Sequence, residues 1–409
     1  MPIATGVNKQ VGYKQETTWG TLAGATGGKL LRRVTANFNL VKETYESGEI
    51  RTDYQIADMR HGVRSVEGSL SGELSPGSYS DFFGAILARD FPAAQTITAL
   101  SITIASGVAV GSLATWNVTR ASGSWLTDGV KIGDVVRFTA GSFAAANLNK
   151  NMVVLSVTAT VLNVIPLNGV AMATEGTAVT AATLTIPKKT FAPLTGHTDR
   201  SFTFEEWYQD VPASEVFTGV KVNTASLSLP ATGLVTCDFG FMGRDLAQTG
   251  TTQYFTTPAA QGASGVFASV SGVLVVNGVP IGLLTGLNIN INRNMSNATV
   301  VGSNNVVEMF EGRIMVDGDF SAYFENGNFR DIFVQENEVS LIAVLSTGSA
   351  ANADFMSFVL PRIKINSNTR DDGEQGITAQ HSFMALLNAA GGTGTATERT
   401  TISIQDSLA

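Results

Sequence analysis

Cysteine is nearly absent. Cys237 is the only one in 409 residues, which excludes an intrachain disulfide and any cysteine-built metal site. A lone cysteine among apolar neighbours is expected in the core, as a small hydrophobe. Histidine is almost as scarce: His61, His197 and His381 stand far apart, and none has a second ligand at metal spacing. Zinc and catalytic-triad chemistry therefore have no footing, and surface or interface positions are expected for all three. Charge is thin, at 15% against about 25% in ordinary soluble domains. Its balance is −8, so the surplus of cations a nucleic-acid binder needs is missing. No apolar core follows Met1 in the opening Pro2–Gln10, so no secretion signal is expected. The charge-free stretch from Leu246 to Asn292 is broken by Pro258, Asn277–Gly278 and Pro280. It reads as linker and strands, not a membrane span.

What is present favours strands. Glycine is high, at 42 residues, and Thr, Ser, Ala, Val and Asn are abundant where helix-forming Lys and Glu are few. An internal repeat organises the chain. Val66, Gly68, Ser71, Gly77, Asp81 and Phe83 recur as Val316, Gly318, Ser321, Gly327, Asp331 and Phe333 at a constant offset of 250. Ala36–Leu40 matches Leu287–Ile291 at 251, Val220–Asn223 matches Ile363–Asn366 at 143, and Phe241–Met242 matches Phe383–Met384 at 142. The falling offset leaves copy one with 107 extra residues, between about Asp90 and His197.

Periodicity gives the local structure. Val66, Gly68, Leu70, Gly72 and Leu74 alternate with Glu67, Ser69, Ser71 and Glu73, the pattern of a half-buried strand. In copy two Val316, Phe320 and Phe324 oppose Asp317, Asp319 and Ser321. The preceding strand sets Phe38 and Leu40 against Asn37 and Asn39, and its repeat sets Ile289 and Ile291 against Asn288 and Asn290. Past Pro76–Gly77, a short helix is expected to bury Phe82, Phe83, Ile86 and Leu87, with Ser78 capping it and Asp81 in its first turn; Asn328 and Asp331 repeat that signal. The extra segment has a turn at Asp128–Gly129, a strand at Asp134–Phe138 and two more within Asn151–Ile165. Six cations and three anions there make it net positive. The expected fold is mainly β: two tandem sandwich or barrel domains, each with one short helix, plus a small inserted β-domain. Residues 1–91 and 197–250 form copy one, 92–196 the external insertion, 251–272 a linker and 273–409 copy two.

Motifs for chemistry fail. Gly24–Lys29 approaches the phosphate-loop spacing, but Ala23 and Leu30 stand where Gly and Ser/Thr are required. Asp371–Glu374 lacks the alternating oxygens of a calcium loop. Glu205–Glu206–Trp207 could suggest paired acids, yet neighbours on a strand point apart, so one charge is expected to face out beside a packed Trp. No cofactor is expected.

Val11–Thr21, reading Val-Gly-Tyr-Lys-Gln-Glu-Thr-Thr-Trp-Gly-Thr, resembles the Gly-Tyr-x-x-Glu-x-x-x-Gly-Thr opening of siphophage tail tube proteins. The run from Glu49 through Gly68 to the Tyr79–Leu87 helix resembles the body of that family, and Trp125–Ile165 resembles a small β-module of phage virion proteins. Copy two departs at its start, with Val276–Gly282 in place of the Gly-Tyr motif. The resemblance implies a β-sandwich with a flanking helix, rings of six such domains, and stacked rings forming a tube that conducts phage DNA during ejection. With two copies per chain it implies a trimeric, pseudo-hexameric ring. It also implies a virion tail assembled in the host cytoplasm, with no membrane. Partners would be the chain itself, the tape-measure protein, the tail terminator and the distal tail protein, with DNA passing unbound.

Two sets of residues then acquire expected roles. Val41–Gly62 is the most charge-dense stretch, too long for a tight hairpin. In the family the equivalent loop reaches the adjacent ring, so Lys42, Glu43, Tyr45, Glu46, Glu49, Arg51, Asp53, Tyr54, Asp58 and Arg60 are expected to dock rings together. Asn37, Asn39, Glu67, Ser69, Glu73, Asn288, Asn290, Asp317 and Asp319 are expected to face the lumen, where acidic groups would repel phosphate. The rival readings are another β-rich virion protein (a capsid decoration protein or a fibre adhesin) and a glycan depolymerase, which would need paired carboxylates in a cleft.

Overall fold

Alternating apolar residues build long strands, and register shows how they combine. The computed structural model describes residues 3–111, 113–144, 147–280, 284–372, 374 and 376–409. Ile281–Gly282 of the copy-two start, and Gly373 of the acidic turn, lie outside them. A first group comprises β1 (Lys9–Gln15), β2 (Thr35–Glu46), β3 (Met59–Glu73), α1 (Ser80–Ile86), β4 (Phe202–Tyr208), β5 (Ala213–Pro230) and β6 (Thr236–Gly243). A second comprises β7 (Gly272–Val276), β8 (Leu284–Asn292), β9 (Met315–Tyr323), α2 (Asn328–Val334), β10 (Val339–Ser346), β11 (Phe355–Ile365), β12 (Thr369–Arg370) and β13 (Thr378–Ala385). The molecule is mainly β, as its composition implies.

Both groups pair in the same order. β2, β3, β6 and the C-terminal half of β5 form an antiparallel quartet. β8, β9, β13 and β11–β12 form the second. The first half of β5 bends away to pair with β4, and β4 with β1. Likewise β11 reaches β10, and β10 reaches β7. Each group is thus a sandwich hinged on one bent strand. Counterparts follow from register: Lys9 faces Tyr208 as Gly272 faces Leu345, and Val11 faces Glu206 as Leu274 faces Ala343. The first sandwich is filled with rings, including Phe38 on Phe204 at 4.4 Å between centroids. Such contacts add to simple burial.

Six strands within residues 95–186 close into a barrel. Its own core holds Trp125, Phe138, Val154 and Leu162. A further cluster joins it to the second sandwich: Val135, Val153 and Ile165 of the barrel lie with Ile342, Val344 and Val359. The Gln405 side chain ties the contact, accepting from Val135 N at 2.8 Å and donating to its O at 3.0 Å.

The two helices differ. Every α1 residue from Phe82 to Ile86 is buried, and none of α2 is. Ser78 does not cap α1: its hydroxyl meets Ser75 Oγ at 2.7 Å. No side chain caps the helix; a long-range contact holds the turn that leads into it. Asp406, from the chain's last strand, accepts from Gly77 N at 2.9 Å and Ser80 Oγ at 2.8 Å. Nor does Asn328 cap α2, which starts after Gly327 with no side-chain cap. Phe324 falls beyond β9 and is partly exposed, off the buried face of Val316 and Phe320. His381 also departs from expectation, being buried between the Phe320 and Phe329 rings. Cys237 is buried, as a small core residue should be.

Candidate assembly surfaces

The two quartets join edge to edge. Thr224–Pro230 of β5 pairs antiparallel with Asn292–Gly286 of β8, giving one sheet in the order β2–β3–β6–β5–β8–β9–β13–β11/β12. At this junction Ser226 Oγ donates to Asn290 Oδ1 at 2.7 Å. Two edges stay without a strand partner among the described residues: β2 on one side, β12 on the other. β2 is the counterpart of β8 and β12 of the β5 segment around Ser226, so the free edges match the two sides of the internal junction. Helix α1 sits beside this junction, with Phe83 on Phe358 at 6.0 Å. Its counterpart α2 is exposed and borders a cavity of about 470 Å³ lined by Phe324, Phe329 and His381.

The polar face of the joined sheet collects the residues that alternation singled out. Asn37, Asn39, Glu67 and Ser69 are exposed, and Glu73, Asn288, Asn290, Asp317 and Asp319 are half-buried. Register aligns them in rows: Asn39 beside Glu67, Asn288 beside Asp319, Asn290 beside Asp317. Asn288 Nδ2 donates to Asp319 Oδ2 at 3.2 Å and Asn290 Nδ2 to Asp317 Oδ1 at 3.2 Å. Asp238 and Ser226 lie in the same rows and escaped the sequence reading, because the offset anchors end at Asn223 and resume at Phe241.

The charged segment is not all loop. Pairing of β2 with β3 continues to Glu46–Met59, so Lys42, Glu43, Tyr45, Glu46 and Arg60 lie on a hairpin extending past the sandwich. Glu49, Arg51, Asp53, Tyr54 and Asp58 occupy its tip. The charges pair within the arm: Arg51 with Asp53 at 2.9 Å and Arg60 with Asp58 at 2.8 Å. Tyr45 donates to Glu43 at 2.5 Å, which holds its phenol above the usual range. The apolar groups of the tip are bare, with Ile50, Tyr54 and Ile56 all exposed.

The acid pair expected to split between inside and outside is buried entirely. Glu205 accepts from Ser214 Oγ at 2.7 Å and from Phe255 N at 2.9 Å. Glu206 Oε1 accepts from Phe38 N on the β2 edge at 2.9 Å, and its Oε2 pairs with Lys9 at 2.7 Å. Tyr208 OH donates to Glu206 at 2.8 Å. Burial, and then this carboxylate, push the phenol well above its usual range, so it remains a donor. Lys9 Nζ also donates to Ala36 O at 2.9 Å. Among the described residues, no three acidic, His or Cys side chains are grouped to hold a metal, and no helix is long and apolar enough to cross a membrane.

A match to known sequences bears on these surfaces. The sequence model for phage tail tube protein matches residues 6–385, nearly the whole chain. The chain belongs to the phage tail tube family. The match spans both sandwiches and the barrel between them, and makes this a structural component of a phage tail. No curated protein matches the chain.

Proposed function

We propose that three copies of this tail tube protein close a ring, that rings stack into a tube, and that phage DNA leaves through the tube. The observation that carries the reading is the β5–β8 junction. A chain that already pairs the β5 edge with the β8 edge presents the counterpart edges, β12 and β2, at its two ends. Such a head-to-tail contact closes when the rotation per unit divides a circle. With six sandwiches to a ring, as the resemblance implies, three chains suffice. Closure also removes two strand edges that otherwise invite misassembly. The hairpin arm of β2–β3 projects from the sandwich and is the element we assign to ring-to-ring contact. The tape-measure, terminator and distal tail proteins are the expected partners at the inside and ends of the tube, with assembly in the host cytoplasm.

A cross-link tests ring closure. Thr369 and Asn39 are counterparts of Ser226 and Asn290, so Asn39→Cys with Thr369→Cys should oxidise to a disulfide between chains. Averaged end-on views and native mass spectrometry of the linked species should give three chains. Six chains per ring, or failure to link in assembled material, would refute the reading.

A further inference from the structure

The internal junction and the free edges differ in chemistry at one place. At the junction, Leu227 and Leu229 of β5 face Ile289 and Leu287, and all four are buried. The overlying strands are apolar there too: Gly272, Ala343 and Leu345 line a 240 Å³ cavity with Leu229 and Gly286. At the free edges Phe38 and Ala36 keep the apolar places of Ile289 and Leu287, but the groups around them are polar. Lys9, Glu206 and Tyr208 stand where Gly272, Ala343 and Leu345 stand, and Arg370 and Asp372 replace Leu227 and Leu229. Register supports the last assignment: Leu227 pairs with Cys237, and Arg370 with Ala379. Arg370 is exposed, resting over the Phe324 ring at 4.1 Å.

We propose that Arg370 and Asp372 of one chain clasp Glu206 and Lys9 of a second copy of this chain. The proposal rests on the ring reading above. Following the junction register, Arg370 comes opposite Phe38, and Asp372 opposite Ala36. Those are the two edge residues whose backbone is held by side chains in the free chain: Glu206 takes the Phe38 N–H, and Lys9 gives to the Ala36 carbonyl. When the incoming strand pairs with β2, its backbone takes over both groups. Glu206 is released beside Arg370, and Lys9 beside Asp372. Each charged group exchanges a backbone partner for an opposite charge, and no buried polar group is left alone.

The arrangement does two things. Before assembly it masks the β2 edge, since any strand pairing there must displace the buried Glu206 and the Lys9 paired with it. At assembly it selects the partner, because an apolar strand would take the backbone bonds of Glu206 and Lys9 and return nothing to either charge. The β5 edge, which carries leucines, is thereby rejected, and domains cannot close in the wrong order.

Arg370→Glu with Asp372→Lys tests this, because both positions are exposed and folding should be unaffected. Circular dichroism should show an unchanged melt, while sedimentable tubes fall roughly tenfold or more, as for like charges forced together across an interface. The neutral variant Arg370→Gln with Asp372→Asn should lose assembly too, by a smaller factor. Adding Lys9→Glu and Glu206→Lys to the reversed chain should restore it. The cysteine pair at 39 and 369 separates the two ideas. If the reversed chain assembles and cross-links as the unaltered chain does, the clasp is wrong and the ring stands. If no interchain cross-link forms even in the unaltered background, both are wrong.

Discussion

Single residues of the repeat have a steric meaning. A Cβ on Gly68 would lie 2.3 Å from the Phe38 ring, and one on Gly318 would lie 2.1 Å from Asn288 O. Gly68→Val and Gly318→Val should therefore each destabilise by about 1–3 kcal/mol, as overpacking does. Gly48→Ala, with open space around it, should leave the denaturation midpoint unmoved. His381 gives a pH prediction. It occupies the place of Phe239, packed on two rings, and its Nδ1 has no hydrogen-bond partner among the described residues. Burial, then nearby Arg370, lower its pKa below the ordinary value. Because the folded pKa is depressed, the stability of the neutral form is full above the unfolded value, about 6.5. It is lost as pH falls through the folded one. His381→Phe should flatten that acid limb in thermal melts and add about 1 kcal/mol by removing an unpaired polar atom; an unchanged limb would assign it elsewhere. The burial of Cys237 was legible, that of His381 and Glu206 was not. Alternation assumes one wet face, but β4 is covered on both. Phe38 lies over one side, and the backbone of Tyr254–Phe255 reaches Glu205 on the other.

At the scale of elements, strands and both helices could be read from period and turn residues. Their surroundings could not. The two helices share a start signal, yet one packs against β5, Phe358 and Asp406, contacts more than a hundred residues away that no local pattern encodes. The hairpin arm is a similar case. Its charge density was plain, but Arg51–Asp53 and Arg60–Asp58 neutralise one another at the tip, where Ile50, Tyr54 and Ile56 are exposed. Lys42 and Glu46 are exposed nearer its base, and Glu49 is exposed too. We expect stacking to depend on the three apolar groups. Replacing all three by Ser should abolish long tubes while rings and melting temperature persist, and raised salt should matter little. Tubes of normal length would remove the docking role. The barrel gives a sharper expectation. Replacing residues 96–187 by a short flexible linker uncovers Ile342, Val344 and Val359, so the truncated chain should aggregate. Polar substitutions at those three positions should restore solubility and ring formation. If the truncated chain is soluble without them, the shared apolar contact is unimportant.

At the scale of the whole molecule, a repeated quartet becomes one eight-stranded sheet, and one face of it is largely polar, interrupted by Met242, Met315 and Met384. Glu67, Glu73, Asp238, Asp317 and Asp319 lie on that face among Asn, Ser and Thr. If three such sheets enclose a lumen, the acids repel phosphate at every ring, and repetition along the tube turns a weak field into a continuous one. The side chains are too short and too well paired to grip DNA: Asp317 and Asp319 already accept from Asn290 and Asn288. Glu67→Lys should then leave folding and tube assembly intact, because this side chain is exposed. Duplex DNA should bind the variant tubes at low salt and be released as salt rises, since screening shortens to about 10 Å near 0.1 M. Unaltered tubes should retain none. In virions carrying the variant, dye-monitored ejection should slow or stall, with the delay relieved by added salt. Ejection at the unaltered rate, from tubes shown to contain the lysine, would move this face to the outside of the tube.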